Sequence, residues 1–360
     1  MSAQKLTNWS SRWLEIDHAW SELNRALAQT HLGHGLDAAF LALAAHQTKA
    51  GFIQDNLDEV IRYRLVSPLD PSQFYSSQYN PQRALRFGGF GRREPPVEEA
   101  RVHQGCFLCR DNIFWQHEGR QLGMDLKLGE SHYVALTNPF PLMPLHLVIA
   151  ARNHVPQRCD LSAADGPEKS LDTVLHHVLT LASQLPDFVV FYNGVDAGAT
   201  IPHHLHFQTF ARPQGYDLFP LEQRARRHAA FPCWVEDYPL QARIWRGTMD
   251  GVRQASQDWI HEWVQRNEAQ AHHLSANLIA TQDEANPGHF YLYFVPRTRQ
   301  SLNSEQASSV NIGGLEVLGE LVFTDNEIKQ QLDSGLLDYH AVEHILSSVG
   351  SVTAASFPNP

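Results

Sequence analysis

One stretch, Pro202-His203-His204-Leu205-His206-Phe207-Gln208-Thr209-Phe210, constrains the fold more than any other. On a β-strand, successive side chains point to opposite faces, so residues two apart share a face. His204, His206, Gln208 and Phe210 then face one way, and Leu205, Phe207 and Thr209 the other. The second face is apolar enough to cover a core. The first sets two imidazoles and a carboxamide side by side, and polar groups taken out of water need partners. Such a face is either a solvated strand face or a site, and the chemistry favours a site. A neutral imidazole is a competent nucleophile near pH 7, because its free pKa is about 6.5. Attack on phosphorus divides a hard displacement into two easier ones. Gln208 could donate its amide N–H to a phosphoryl oxygen. The loop Asn193-Gly194-Val195-Asp196-Ala197-Gly198-Ala199-Thr200 comes just before. Its glycines let backbone N–H groups approach a phosphate, and Thr200 adds a hydroxyl.

The remaining pattern predicts an α+β chain with antiparallel sheets and helices packed on one side. Residues 12–66 read as mostly helical, with Leu36, Phe40, Leu43 and Ala44 and then Leu57, Val60 and Ile61 at helical spacing. Residues 67–105 carry several Pro and Gly and read as irregular. Strands are predicted over 131–137 and 145–150, a helix over 169–185, and strands over 188–192 and 204–210. A helix over 252–266 and strands over 276–281 and 289–295 repeat that order without the histidine pair. This suggests two related units, one catalytic and one degenerate. A last helix pair covers 325–348.

At 360 residues the chain is long enough for one large or two medium domains. The divisions expected are an N-terminal helical segment (1–70), a catalytic domain (71–215) and a C-terminal α+β domain (216–360). A formal charge of −11 argues against a nucleic-acid partner. The densest basic run, Arg224, Arg226, Arg227 and His228, reads as a solvated helix face. No apolar run reaches the ~20 residues of a membrane helix, and no apolar signal core follows Met1. No membrane partner and a cytoplasmic location are therefore expected. Cys106 and Cys109 form a C-x-x-C, which suits metal or redox chemistry better than a disulfide framework. His103, His132 and His146 read as satisfied surface or core histidines.

The run Gly198-Ala199-Thr200-Ile201-Pro202-His203-His204-Leu205-His206-Phe207-Gln208 resembles the active strand of the galactose-1-phosphate uridylyltransferase branch of the histidine-triad superfamily. That branch ends its motif His-x-His-x-Gln. The wording here is nearest to GDP-hexose phosphorylases and similar to diadenosine tetraphosphate phosphorylases. His203, between Pro202 and His204, is a departure from the uridylyltransferase pattern. Upstream, Gln78-Tyr79-Asn80-Pro81-Gln82-Arg83, then Arg92-Arg93, then Cys106-Phe107-Leu108-Cys109 follow the N-terminal order of the family. Asn138-Pro139-Phe140-Pro141 and His146 through His154 look like its nucleotide-binding strand pair. The match spans roughly residues 78–210, and a bacterial subgroup shares the order. Val295-Pro296-Arg297-Thr298-Arg299 and Ser309–Gly314 are similar to the C-terminal domain of the diadenosine tetraphosphate phosphorylases.

The resemblance implies a histidine-triad-like fold and a ping-pong reaction. His206 would be the nucleophile and Gln208 would steady the nucleotidyl-histidine. Asn193, Gly198, Thr200, His204, Arg92, Arg93, Asn138 and Arg297 would contact nucleotide or phosphate, with an exposed loop arginine as the alternative for Arg297. Cys106, Cys109, His154 and His204 would hold one structural zinc; a redox pair or plain buried thiols are the alternatives. The substrate would be a nucleoside diphosphate sugar or dinucleoside polyphosphate, the acceptor phosphate or a sugar phosphate, and the assembly a homodimer. A hydrolase of the same superfamily and a non-catalytic nucleotide-binding module are the rival readings.

Overall fold

The computed structural model describes residues 3–53, 57–88, 94–159, 170–216, 218–266, 275–297 and 311–350. Two N-terminal helices, α1 (Ala3–His34) and α2 (Leu36–Lys49), lead into strands β1 (Ile61–Val66) and β2 (Phe74–Tyr79). The first unit holds α3 (Arg110–Gln116), β3 (Met124–Leu128), β4 (Ser131–Thr137), β5 (Leu147–Ala151), α4 (Leu171–Gln184), β6 (Phe188–Asn193) and β7 (His206–Ala211). After α5 (Pro220–Ala225) the second unit holds β8 (Cys233–Val235), β9 (Ala242–Thr248), α6 (Met249–Arg266), β10 (Ala276–Gln282) and β11 (His289–Pro296). The described chain ends with α7 (Gly314–Val317), β12 (Glu320–Phe323), α8 (Asn326–Ser334) and α9 (Tyr339–Val349).

Nine strands form one sheet in the order β3-β4-β5-β7-β6-β10-β11-β9-β8, and it runs unbroken across residue 215. The order records a duplication. In β4-β5-α4-β6-β7, a strand pair precedes a helix, a hairpin follows, and the last strand pairs with the strand before the helix. The segment β8-β9-α6-β10-β11 is wired the same way. The units meet through their equivalent strands, β6 and β10, paired antiparallel with Asn193 opposite Asn277. An approximate twofold axis therefore passes between those strands.

Side-chain alternation divides the sheet into two cores. Val190, Tyr192, Phe207, Leu278, Leu292 and Phe294 pack under α2, α4 and α6. In α4, Leu171, Val174, Leu175, Val178 and Leu179 recur at helical spacing on the buried face, and Ser170 caps the start by accepting from the Thr173 N–H. Each such aliphatic contributes roughly 1.5–3 kcal/mol of burial. The long helices of the core thus lie on one face, as expected. The other face also carries a layer: Val189, Phe191, Phe210, Ile279, Tyr291 and Tyr293 pack against α9 and a small sheet ordered β1-β2-β12. A third cluster joins Trp20 of α1 to Ile113 and Phe114 of α3 and to Cys106 and Cys109.

Near the N-terminus, two strands stand where the sequence pattern predicts none. Residues 61–66 are strand, not helix: Tyr63 and Leu65 face the core while Arg62 and Arg64 face out, a period of two that the apparent spacing of Leu57, Val60 and Ile61 concealed. Within the stretch read as irregular, β2 is a fully buried strand, paired with β1 on one side and parallel to β12 on the other. No helix among the described residues is long and apolar enough to cross a membrane.

Candidate active site and metal centre

β7 begins at His206, and from there its faces divide as the alternation predicts; His204, expected on the same face as His206, precedes the strand and points the other way. Leu205 and Phe207 enter the core beneath α4, whereas His206 and Gln208 line a cavity of about 320 Å³ on the opposite face. Val148 and Phe191, which flank Gln208 on β5 and β6, complete the cavity floor. Asn193, Gly198 and Thr200 form one side, and Asn138 at the end of β4 another. Asn311, Gly313, Gly314 and Glu316, from the C-terminal segment, close the far wall. That wall lies tight against the loop of residues 194–200. Gly198 has φ +90°, and a Cβ there would come within 2.5 Å of the Ile312 carbonyl oxygen. A Cβ at Gly314 would meet the Phe191 ring at 2.3 Å. Only glycine permits these approaches.

The site's protons are set by backbone groups. The His206 Nδ1–H donates to the His204 carbonyl oxygen over 2.8 Å. A carbonyl can only accept, so Nδ1 carries the proton and Nε2 keeps its lone pair. Burial pulls the His206 pKa down to about 4, leaving the ring neutral at pH 7. At Gln208 the logic runs through His146. The Leu142 N–H donates to His146 Nδ1 over 3.2 Å, so His146 Nε2 is the protonated nitrogen and donates to Gln208 Oε1 over 3.0 Å. The Gln208 oxygen is thereby occupied, and its NH2 is left to donate into the cavity. His146 is a satisfied buried histidine, as read, and it also orients Gln208.

Gln157, which no sequence pattern signalled, secures the strand. Its amide donates to the Asn193 and His206 carbonyls over 2.8 and 2.9 Å, and its oxygen accepts the His206 N–H at 2.6 Å. One buried side chain thus ties the end of β6 to the start of β7. Arg83 is a second residue that the site expectations omitted. Its side chain lines the cavity, donates to the Phe140 carbonyl at 2.5 Å, and is the only cationic side chain lining the cavity among the described residues. The Tyr-Asn-Pro element two residues earlier was the available signal.

Four expected phosphate contacts take other places or fall outside the description. Arg297 does not line the cavity. It is buried, and its guanidinium donates to the Val349 carbonyl, the Ile312 carbonyl and Asn277 Oδ1, each over 3.1 Å. Burial lowers its pKa to about 10, so it remains cationic at neutral pH. His204 is fully buried and turned away from the cavity toward the thiols. Arg92 and Arg93 lie outside the described residues.

Behind β7, the side chains of Cys106, Cys109, His154 and His204 converge, with their ligand atoms all within 4.8 Å of one another. The Cys106 and Cys109 sulfurs lie 3.3 and 3.6 Å from His204 Nδ1, and Cys109 lies 3.2 Å from His154 Nδ1. These separations match the edge of about 3.5 Å expected of a tetrahedron with zinc–sulfur and zinc–nitrogen bonds. His204 Nε2–H donates to the Ala151 carbonyl over 2.8 Å, which leaves the Nδ1 lone pair facing the sulfurs. The hydrogen bond from Cys109 pulls the Cys106 thiol down to about 3, and the same bond pushes Cys109 up. The donor set fits a metal ion. His103 stacks on the outer His154 at 4.1 Å. The inserted His203 sits in an exposed turn, and Thr200 still reaches the cavity.

A domain of unknown function, DUF4922, matches residues 52–211. No curated protein matches the chain. Two crystal structures of yeast Ap4A phosphorylase Apa2 share the fold. The complex with AMP aligns at a TM-score of 0.58 with 17% identity, covering 88% of this chain and 96% of that one. The complex with Ap4A aligns at 0.54 with 16% identity, covering 86% and 95%.

Proposed function

We propose that the protein is a nucleotidyltransferase or phosphorylase that acts on a nucleoside diphosphate sugar or dinucleoside polyphosphate through a nucleotidyl-histidine at His206. The observation that carries this reading is the fixed tautomer of His206: a neutral ring whose free Nε2 belongs to a cavity-lining residue. Beside it are the donors of Gln208 and Asn193.

In the first step His206 Nε2 attacks the α-phosphorus. A nitrogen–phosphorus bond forms, and the bond to the bridging oxygen breaks. The electron pair leaves with the sugar phosphate or, from a dinucleoside polyphosphate, with the nucleoside polyphosphate. The Nδ1–H stays bonded to the His204 carbonyl, which stabilises the positive ring of the intermediate. In the second step an oxygen of phosphate or a sugar phosphate attacks the same phosphorus and returns the electron pair to Nε2. Gln208, Asn193, Thr200 and Arg83 bear on the phosphoryl oxygens, and Asn138 is placed to bind the nucleoside portion. Donors preorganised in this way are each worth about a hundredfold or more in rate. Cys106, Cys109, His154 and His204 would hold a structural zinc, whose role is to anchor the strand that carries His206.

The test is incubation with a panel of nucleotides and nucleotide sugars labelled at the α-phosphate. Label retained on protein, lost in acid, stable in base and absent from His206→Ala supports the reading. A wild-type protein that takes no label from any member of the panel overturns it. Product analysis with and without phosphate then identifies the acceptor: phosphate-dependent release of a nucleoside diphosphate marks phosphorolysis, and phosphate-independent release of a monophosphate marks hydrolysis.

A further inference from the structure

Asn193 lies opposite Asn277 where the two units meet. Asn277 Nδ2 donates to Asn193 Oδ1 at 2.8 Å and to the Ala197 carbonyl at 2.7 Å, and Asn277 Oδ1 accepts from Arg297 at 3.1 Å. All three residues are buried. We infer that Arg297 and Asn277, both in the non-catalytic unit, are positioning residues that fix which end of the Asn193 amide faces the substrate.

Donor and acceptor capacity sets the direction of this chain of amides. An amide can be turned end for end with little change in shape, so a chain of two amides has two polarities. A guanidinium has five donors and no acceptor. Arg297 therefore forces the oxygen of Asn277 toward itself. The Asn277 NH2 must then point to Ala197 and Asn193, and the Asn193 oxygen must turn to receive it. The Asn193 NH2 is left for the cavity, where no protein group among the described residues bonds it. Phosphoryl oxygens only accept, so this is the polarity that a phosphate requires. The opposite polarity would present an oxygen to an anion. The same guanidinium holds the Ile312 carbonyl, next to Gly313 in the cavity wall. One buried charge thus sets both the polarity of the amide and the position of the wall beside it. The phosphate part of this inference rests on the reading of the preceding subsection; the polarity of the chain does not.

Two variants at Asn277 separate positioning from packing. In Asn277→Asp the carboxylate still accepts from Arg297 but offers Asn193 only an acceptor, so the Asn193 amide turns over and its oxygen enters the cavity. In Asn277→Ala the Asn193 amide loses its partner and rotates freely. The first measurement is side-chain amide NMR of ligand-free protein labelled with 15N-asparagine, the Asn193 signal being the one absent from Asn193→Ala. Its NH2 should exchange rapidly with water in the wild type and become protected, with a downfield shift, in Asn277→Asp. An Asn193 signal unchanged by Asn277→Asp overturns the inference.

The second measurement is AMP affinity. Asn277→Asp should bind about tenfold or more weakly, and worse than Asn277→Ala, while melting no lower than it. A role in packing alone predicts affinity that follows melting temperature instead, and that order also overturns the inference. Arg297→Lys and Arg297→Gln serve if Asn277→Asp does not fold. Lysine only donates and should keep the wild-type Asn193 signal, whereas glutamine lets the chain reverse. If the wild type binds no nucleotide, the reading of the preceding subsection fails, and the NMR experiment still decides the polarity.

Discussion

β7 and β11 occupy equivalent places in the two units, yet their cavity-side faces carry different chemistry. On β7 that face reads His206, Gln208, Phe210; on β11 it reads Tyr291, Tyr293, Val295. The helix-side faces are alike, with Phe207 under α4 and Leu292 and Phe294 under α6. The wiring of strands and helix therefore depends on the apolar face alone. The other face differs between the units: one carries the buried His206 imidazole, its twin packed aromatics. The second unit's contribution to the site is the Arg297–Asn277 relay and the chain that leads on to Gly313 and Gly314.

The largest expected effect separates the two strands directly. His206→Ala should abolish nucleotidyl transfer to protein, whereas Tyr293→Phe on the twin strand should leave the labelling rate unchanged. The Tyr293 hydroxyl is buried beside Thr281 and outside the cavity lining, so its loss should change stability by no more than about 1 kcal/mol. A Tyr293→Phe enzyme that loses labelling would break the division of labour.

Next in size, Gln208→Ala should slow labelling on the order of a hundredfold. His146→Phe, which frees the Gln208 oxygen, should recover part of that loss in no background and cost about tenfold alone. The two changes should be far from additive, because His146 acts through Gln208. Single-turnover rates of both variants and the double variant check this.

Among the described residues, the Cys/His cluster that could hold a metal belongs to the first unit. Cys109→Ser should lower bound zinc from about one per chain toward zero in elemental analysis and reduce Tm on the order of 5–10 °C. Cys233→Ser, in the second unit, should change neither.

The smallest effect is a pH dependence from the first unit's core. His177 sits under the sheet with its Nδ1 2.8 Å from the Tyr133 hydroxyl, and burial, with a smaller push from His176, lowers its pKa to about 4. Its unfolded value is 6.5. Between those values the unfolded chain binds more protons, so the stability is complete above about pH 6.5 and is lost as pH falls toward 4. Denaturant titrations at pH 7 and pH 5 should show the wild type losing about 2 kcal/mol more than His177→Gln.

Much of this was legible in the chain. The period of two in residues 205–210 told which side chains would share a face, since strand geometry decides that, but not that His204, just ahead of the strand, would turn toward the thiols. The apolar stripe of residues 171–182 marked α4, and the C-x-x-C marked two metal-ligand candidates. The α+β class and the N-terminal helices followed from the same patterns. Three kinds of fact were not legible. The strand β2 owes its state in part to β12, a neighbour distant in sequence. Gln157 and His146 carry no periodic signal, because each acts by bridging strands that the fold brings together. Arg297 stands in a segment that resembles a phosphate-binding region, and only its burial among Val349, Ile312 and Asn277 reveals a different task.

By itself, then, the amino-acid sequence determined the faces of the strands and helices, because local backbone geometry fixes where each side chain points. Tertiary structure alone decided which nitrogen of each imidazole carries its proton and which end of each amide meets the cavity. Those choices depend on backbone carbonyls, N–H groups and one guanidinium that the fold brings into place, each of which can only accept or only donate.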